Sequence, residues 1–296
     1  MKPIAFVPIA LVAALTVAGI AEDNQRIVIR KPFGEHSKRS KGAAATILYH
    51  GGPILLNQIP LYVIYYGSVP GGTQNIINTF LADLNESAPF KVNTTYTQGL
   101  GGPAISGALS SPVLFLDVNA SQGKSVSSTT VTQILQHAFA NGLKKDSTGV
   151  YFVVTAPDVS VSGFCKSFCA YHTESTNIVA GFTIHYALVP DPGQSCTGCD
   201  GNFAVYGQDI TPNGDQGADE ITDSMIHELS ETATDPNLNA WYTKNGEENG
   251  DLCNFFYGTT FSAPNGAVAN VNLNGHNYLI QYIWRNSTPQ VCANTP

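Results

Sequence analysis

His227-Glu228-Leu229-Ser230-Glu231 is the stretch whose residue types and spacing could do chemistry. In a helix, residues four apart share a face one turn apart, so the His227 imidazole and the Glu231 carboxylate point the same way. Such a pair can hold a divalent metal ion, and Glu228, directly after His227, is placed to act as a general base. The pattern is the H-E-x-x-H of zinc peptidases with its second His replaced by Glu. The chemistry implied is metal-assisted hydrolysis of a peptide bond, in which Glu228 takes the proton of a water made acidic by the metal. The competing reading is a solvated helix face with a run of charge that helices tolerate.

Two side chains do not complete a site. Gly246-Glu247-Glu248-Asn249-Gly250-Asp251-Leu252-Cys253 is the obvious supplier of a third ligand, with two glycines that let the backbone turn tightly. Glu248 is the first choice and Asp251 the second; Glu247 and Asp235 remain possible. Zn²⁺ is the expected ion. The wealth of carboxylates also suits Ca²⁺, which His227 argues against. His172, close to Cys169, could approach the metal or polarise a substrate carbonyl, although a lone His is more often structural. His185 has no partner legible in the sequence. Trp241-Tyr242 reads as a packing anchor.

These groups must be positioned by a helix over 217–234. Met225, Ile226, Leu229 and Ala233 give it an apolar stripe, early acids suit its positive end, and Pro236 stops it. Before it, strands are expected at 61–67, 112–118, 149–155 and 178–189, and helices at 73–85 and 130–143. Short strands are expected near 268–273 and 278–284. Alternation of strand and helix argues an α/β sheet with crossover helices. The partial alternation of 178–189 suggests an edge strand with one face buried. Such an edge pairs with extended peptides.

Residues 1–21 read as a signal peptide: Lys2, an uncharged apolar run from Ile4 to Ile20, and small residues at the cleavage positions. Residues 22–41 are crowded with Arg and Lys and carry the dibasic pair Lys38-Arg39. They are expected to be a propeptide or flexible tail outside the fold, leaving 42–296 as one domain. The whole chain has 14 basic and 22 acidic side chains, and residues 1–41 hold seven and three of these. The remainder carries a net charge of about −12, which excludes charge-driven binding to nucleic acid or anionic membrane. Eleven of its acids lie between Asp209 and Asp251, with Lys244 the only base among them. That concentration asks for a cation or wide solvation.

Six cysteines, at 165, 169, 196, 199, 253 and 292, in a chain with a signal peptide imply disulfides, with the pairing open. A four-thiolate zinc site at Cys165, Cys169, Cys196 and Cys199 is the lesser alternative. Sequons at Asn85, Asn93, Asn119 and Asn286 fit the same oxidising, extracellular compartment.

Tyr49-His50-Gly51-Gly52-Pro53, GVYFVVTAPDVSVSGFC at 149–165, Cys169-x2-His172, the Cys loop from Gln194 to Phe203, PNGDQGAD at 212–219 and the stretch from Trp284 to Cys292 occur in this order. As a set they resemble the EXORDIUM (phosphate-induced protein 1) family over most of 46–292. The resemblance implies a secreted protein of the cell wall or apoplast linked to growth, without an established biochemical activity. The plant pattern has no H-E-x-x-E before its Thr-Asn-Pro, whereas here the motif precedes Thr234-Asp235-Pro236, as in a microbial branch that looks like a zinc-peptidase ancestor. The expected fold is a single α/β zincin-like domain: a mixed sheet with crossover helices, an antiparallel edge strand and disulfides. The expected function is a secreted zinc metallopeptidase-like protein acting on an extended peptide or protein. The alternative is a non-catalytic wall-associated protein with a structural Zn²⁺ or Ca²⁺, or with none. A monomer is expected.

Overall fold

The computed structural model describes residues 27–33, 46–192 and 196–296. The expected signal peptide, 1–21, lies outside these, as do 22–26 and 34–45. A six-stranded sheet forms the centre. Its strands in chain order are β1 (Val28–Arg30), β2 (Leu61–Tyr66), β3 (Val113–Asp117), β4 (Val150–Thr155), β5 (Ala170–Ser175) and β6 (Ile184–Pro190), and in space β1-β5-β6-β4-β2-β3. Strands β3, β2, β4 and β6 are parallel; β5 is antiparallel to β6, and β1 to β5. Every residue of β2 and of β4 is buried. Inner parallel strands are covered on both faces, which is why both read as continuous apolar runs.

Helix α1 (Gly71–Leu84) joins β2 to β3, and α2 (Ser128–Ala140) joins β3 to β4. The inward residues of α2 are Val131, Ile134, Leu135, Ala138 and Phe139, as its period predicts. The third long helix, α3 (Gln216–Thr234), is the one expected over 217–234. The Asp215 carboxylate caps it by accepting the Ala218 N–H at 3.1 Å.

The competing reading of the helix and two expectations are corrected. First, α3 has no solvated face: Gly217 to Thr234 are all buried. The sheet lies against α3 at β5 and β6, α1 packs along it, and the loops after it close the remaining side. Second, 178–189 is not an edge. The strand is 184–190, it is inner, and all seven residues are buried, both faces being apolar. The antiparallel strand is β5, whose His172, Thr173, Glu174 and Ser175 give no apolar alternation to read. Third, the segment 22–41 is not wholly outside the fold, because Val28–Arg30 forms β1 and Arg30 is fully buried.

All six cysteines are paired, Cys165 with Cys196, Cys169 with Cys199 and Cys253 with Cys292, which removes the four-thiolate site. The first two fasten the approach to β5 onto the 196–199 turn. The third ties the loop 251–253 to the C-terminal strand Val291–Ala293. Each bridge of this kind is typically worth about 2–4 kcal/mol.

One sequon is structural. Asn93 is fully buried; its amide donates to the Phe90 carbonyl and the Ser230 hydroxyl, each at 3.0 Å, and its Oδ1 accepts from the Asn249 amide. It joins α3 to the acidic loop and has no room for a glycan. Peptide mapping of secreted protein is expected to find Asn93 bare. Asn93→Ala, which strands the Asn249 amide, should lower stability by about 1–3 kcal/mol in urea unfolding.

Candidate metal centre

His227 and Glu231 emerge from the middle of α3 at zero exposure, and His227 Nε2 lies 3.1 Å from Glu231 Oε1. The imidazole is held from behind by Gln281. The Gln281 amide nitrogen donates to the Gly250 carbonyl at 2.9 Å, which fixes the orientation of the amide. Its Oε1 therefore faces His227 Nδ1 at 3.0 Å. An acceptor there requires Nδ1 to carry the proton, and Nε2 presents its lone pair to the centre. Asp251 Oδ1 lies 3.9 Å from that Nε2. The loop 246–253 reaches this close because residue 250 is glycine: a Cβ there would stand 2.9 Å from Glu231 Oε1 and from the His227 ring. The Asp251 amide donates to Glu231 Oε1 at 3.0 Å, so the loop also orients that carboxylate.

His172 arrives from β5 on the other side. Its Nδ1 lies 3.2 Å from both Glu228 Oε2 and Glu231 Oε2, and its Nε2 lies 3.6 Å from Glu248 Oε2. Two sets of donor atoms therefore meet, His227, Glu231 and Asp251 in one and His172, Glu231 and Glu248 in the other, with Glu231 common to both. The six residues singled out in the sequence all converge here. Glu248 and Asp251, the two candidates for third ligand, fall in different sets.

These residues fit a divalent cation. His172, His227, Glu228, Glu231 and Glu248 are completely buried, and the Asp251 side chain is 13% exposed. His172 Nε2, His227 Nε2, Glu228 Oε1, Glu231 Oε2 and both Glu248 oxygens have no hydrogen-bond partner. Buried polar atoms are nearly always paired, and one left over costs about 1–3 kcal/mol. Five of the six belong to residues of the two donor sets that share Glu231, and the sixth is Glu228 Oε1. The proton affinities agree. Burial drives the Asp251 carboxyl up to about 8, with Glu231 adding to it, and drives Glu248 well above the carboxylate range. Burial also acts against the charges of Glu231 and His227. Their mutual attraction prevails, bringing Glu231 down to about 2 and His227 up to about 9. The protons so retained are what a metal would replace.

The other candidates stand apart. Asp235 Oδ1 accepts the Asn239 and Ala240 amides and shapes the turn after α3. Glu247 lines a cleft beside the centre but is not one of the converging donors. His185 bonds Asn237 at 3.0 Å, and Trp241 packs on Tyr49 and Tyr96 with its indole N–H on the Thr97 carbonyl. Gln281 was not singled out in the sequence. Gln281 sits in an ordinary-looking run, Leu279 to Trp284, with nothing to mark it. Gly250 was noted for flexibility, whereas its role is clearance.

The description "Phosphate-induced protein 1 conserved region" matches residues 47–294. The chain belongs to the EXORDIUM (phosphate-induced protein 1) family. Among its relatives, Protein EXORDIUM-like 3 of Arabidopsis thaliana is 30% identical over 84% of this chain and 83% of its own length. Protein EXORDIUM-like 5 of the same plant is 28% identical over 87% and 80%. Protein PHOSPHATE-INDUCED 1 of Nicotiana tabacum is 32% identical over 66% of each. No solved structure matches the chain. Among the described residues, no helix is long and apolar enough to cross a membrane.

Gln281 and Gly250 give the centre a test that leaves every donor in place. Gln281→Leu frees the His227 ring, and Gly250→Ala pushes a methyl against it. If the centre holds zinc, each should weaken its binding about 10–100-fold in chelator competition.

Proposed function

We propose that this EXORDIUM-family protein is an extracellular metal-binding protein, and that its metal has a structural role in the closed form described here. The ion is Zn²⁺, held by His227 Nε2, Glu231 and Asp251, with Glu248 and His172 adjoining. The observation that carries this is the convergence of one donor atom each from His227, Glu231 and Asp251 within 4.8 Å of one another, with His227 Nε2 and Glu231 Oε2 buried and unpartnered. Without a cation such an interior must hold Asp251 and Glu248 protonated, and a metal ion would take the place of those protons. Two imidazoles facing the centre favour Zn²⁺ over Ca²⁺, which prefers an all-oxygen shell. Closure argues for structure over turnover, since structural metal sites are closed and catalytic ones keep an open position. The three disulfides support an extracellular setting.

Two observations favour a second reading, a zincin-like peptidase. Glu228 lies beside the metal ligands with Oε1 unpartnered, and burial raises its affinity for a proton, which suits a general base. His172 Nδ1 would hold that carboxylate in place. Asp251 also borders a cleft of 260 Å³ that opens between the acidic loop and β1, a route from solvent to the centre. A bound Zn²⁺ would supply Lewis acidity there. An extended peptide would add to β5 only in place of β1, which pairs with its outer edge.

The purified protein should carry about one zinc per chain. His227→Ala should lose it, because the assigned set then keeps only Glu231 and Asp251. Glu228→Gln should keep it. Metal analysis of the three proteins checks the site, and equal metal in wild type and His227→Ala would remove it. Wild type should not hydrolyse an unfolded protein. Hydrolysis that Glu228→Gln reduces about 10²–10⁴-fold would instead establish the peptidase.

A further inference from the structure

Strand β1 is anomalous. It precedes the matched family region of 47–294, which contains the other five strands of the sheet. Those five form a continuous sheet that ends at β5, and β1 is added to the outer edge, pairing Val28 with His172, Ile29 with Tyr171 and Arg30 with Ala170. This is the geometry by which a peptide ligand extends a sheet: backbone ladder for affinity, alternate side chains into pockets for selection.

The pocket is specific. Arg30 is at zero exposure. Its Nη1 donates to Glu220 Oε1 at 3.2 Å and to Ser224 Oγ at 2.6 Å, Nη2 pairs with Asp223, and Nε donates to Asn254 Oδ1 at 3.3 Å. The guanidinium also lies 4.7 Å from the centroid of the Phe255 ring. Every one of these partners belongs to the body of the domain. The fork of donors reaches two carboxylates, a hydroxyl and an amide at once, which an ammonium on one point cannot do. The backbone on either side is gripped too. The Cys169 amide donates to the Arg30 carbonyl, the Asn254 amide to the Lys31 carbonyl, and the Phe33 amide to the Gly198 carbonyl. Phe33 meets Phe255 edge-on. The far flank of β1 is not filled, since the cleft bordered by Ile27 to Ile29, Lys31 and Asn245 to Glu247 remains beside it.

We propose that the β5 edge with its Glu220–Asp223 pocket is a binding site for an extended, arginine-bearing peptide, and that residues 27–33 are the ligand occupying it in this chain. Without a guanidinium, Glu220 and Asp223 would be buried with no cation, so the groove accepts a competing chain only if that chain brings an arginine. Val28 pairs with His172 across the ladder, so whatever occupies the groove lies beside the strand that carries His172. The inference rests on the ladder and the pocket alone and stands whether or not the centre hydrolyses anything.

The test uses the full chain and a labelled peptide of sequence Ile-Val-Ile-Arg-Lys-Pro-Phe, blocked at both ends. In wild type the tethered segment competes at high effective concentration, so the peptide should bind poorly. Arg30→Ala, which weakens the resident, should bind it on the order of 100-fold more tightly. The same peptide with alanine in place of its arginine should bind neither protein. Folded Arg30→Ala that binds both peptides alike, or neither, overturns the proposal. If Arg30→Ala does not fold, hydrogen exchange of wild type decides. Amides of Ile29 to Lys31 should exchange well before those of β4 and β6, showing that β1 leaves while the sheet persists. Equal protection, lost only on global unfolding, makes β1 a permanent strand and overturns the proposal.

Discussion

The structure depends on a helix that buries its charges. Helix α3 carries Asp219, Glu220, Asp223, His227, Glu228 and Glu231, all 4% exposed or less. Charge in an interior must be met by opposite charge and hydrogen bonds. The chain meets it in stages along the helix. Asp219 accepts the Asn213 backbone and side-chain amides. Glu220 and Asp223 take Arg30, and Asp223 also accepts the Gln281 amide and the Tyr257 hydroxyl. Ser230 is tied to Asn93. The stage from His227 to Glu231 ends in buried donor atoms without hydrogen-bond partners.

The elements around α3 follow from that requirement. Strand β5 is polar because it must deliver His172, the loop 246–253 is acidic because it must deliver Glu248 and Asp251, and the turn at 280–282 exists in part to hold His227 through Gln281. The disulfides secure the two irregular pieces. Cys165 and Cys169 anchor the entry to β5, and Cys253 anchors the end of the acidic loop. Long-range covalent ties suit elements whose sequence has too few apolar residues to pack themselves.

Much of this was legible. Apolar runs at 61–66 and 150–155 fixed the inner strands, helical periods marked α1 and α2, and the five-residue motif placed two donors on α3. What escaped did so for physical reasons. Strand β5 could not be read because its residues serve the centre and break the apolar alternation. The residues of β1 look like a basic tail because Arg30 answers acids 190 and 193 positions away, and no local window contains both. Gln281 acts by the direction of one amide, which composition does not carry. The acidity of 209–251 was visible, but the choice between solvation and a cation was not, since it turns on burial.

The central claim is that a metal ion completes the interior of α3. Thermal unfolding of the purified protein before and after removal of metal by a chelator tests it most directly. A ligand bound only by the folded state raises its stability in proportion to the logarithm of its concentration over Kd. The account predicts a midpoint that falls when metal is removed and returns when Zn²⁺ is restored in stoichiometric amount. A midpoint unmoved by both treatments, in protein shown to have lost its metal, would contradict it.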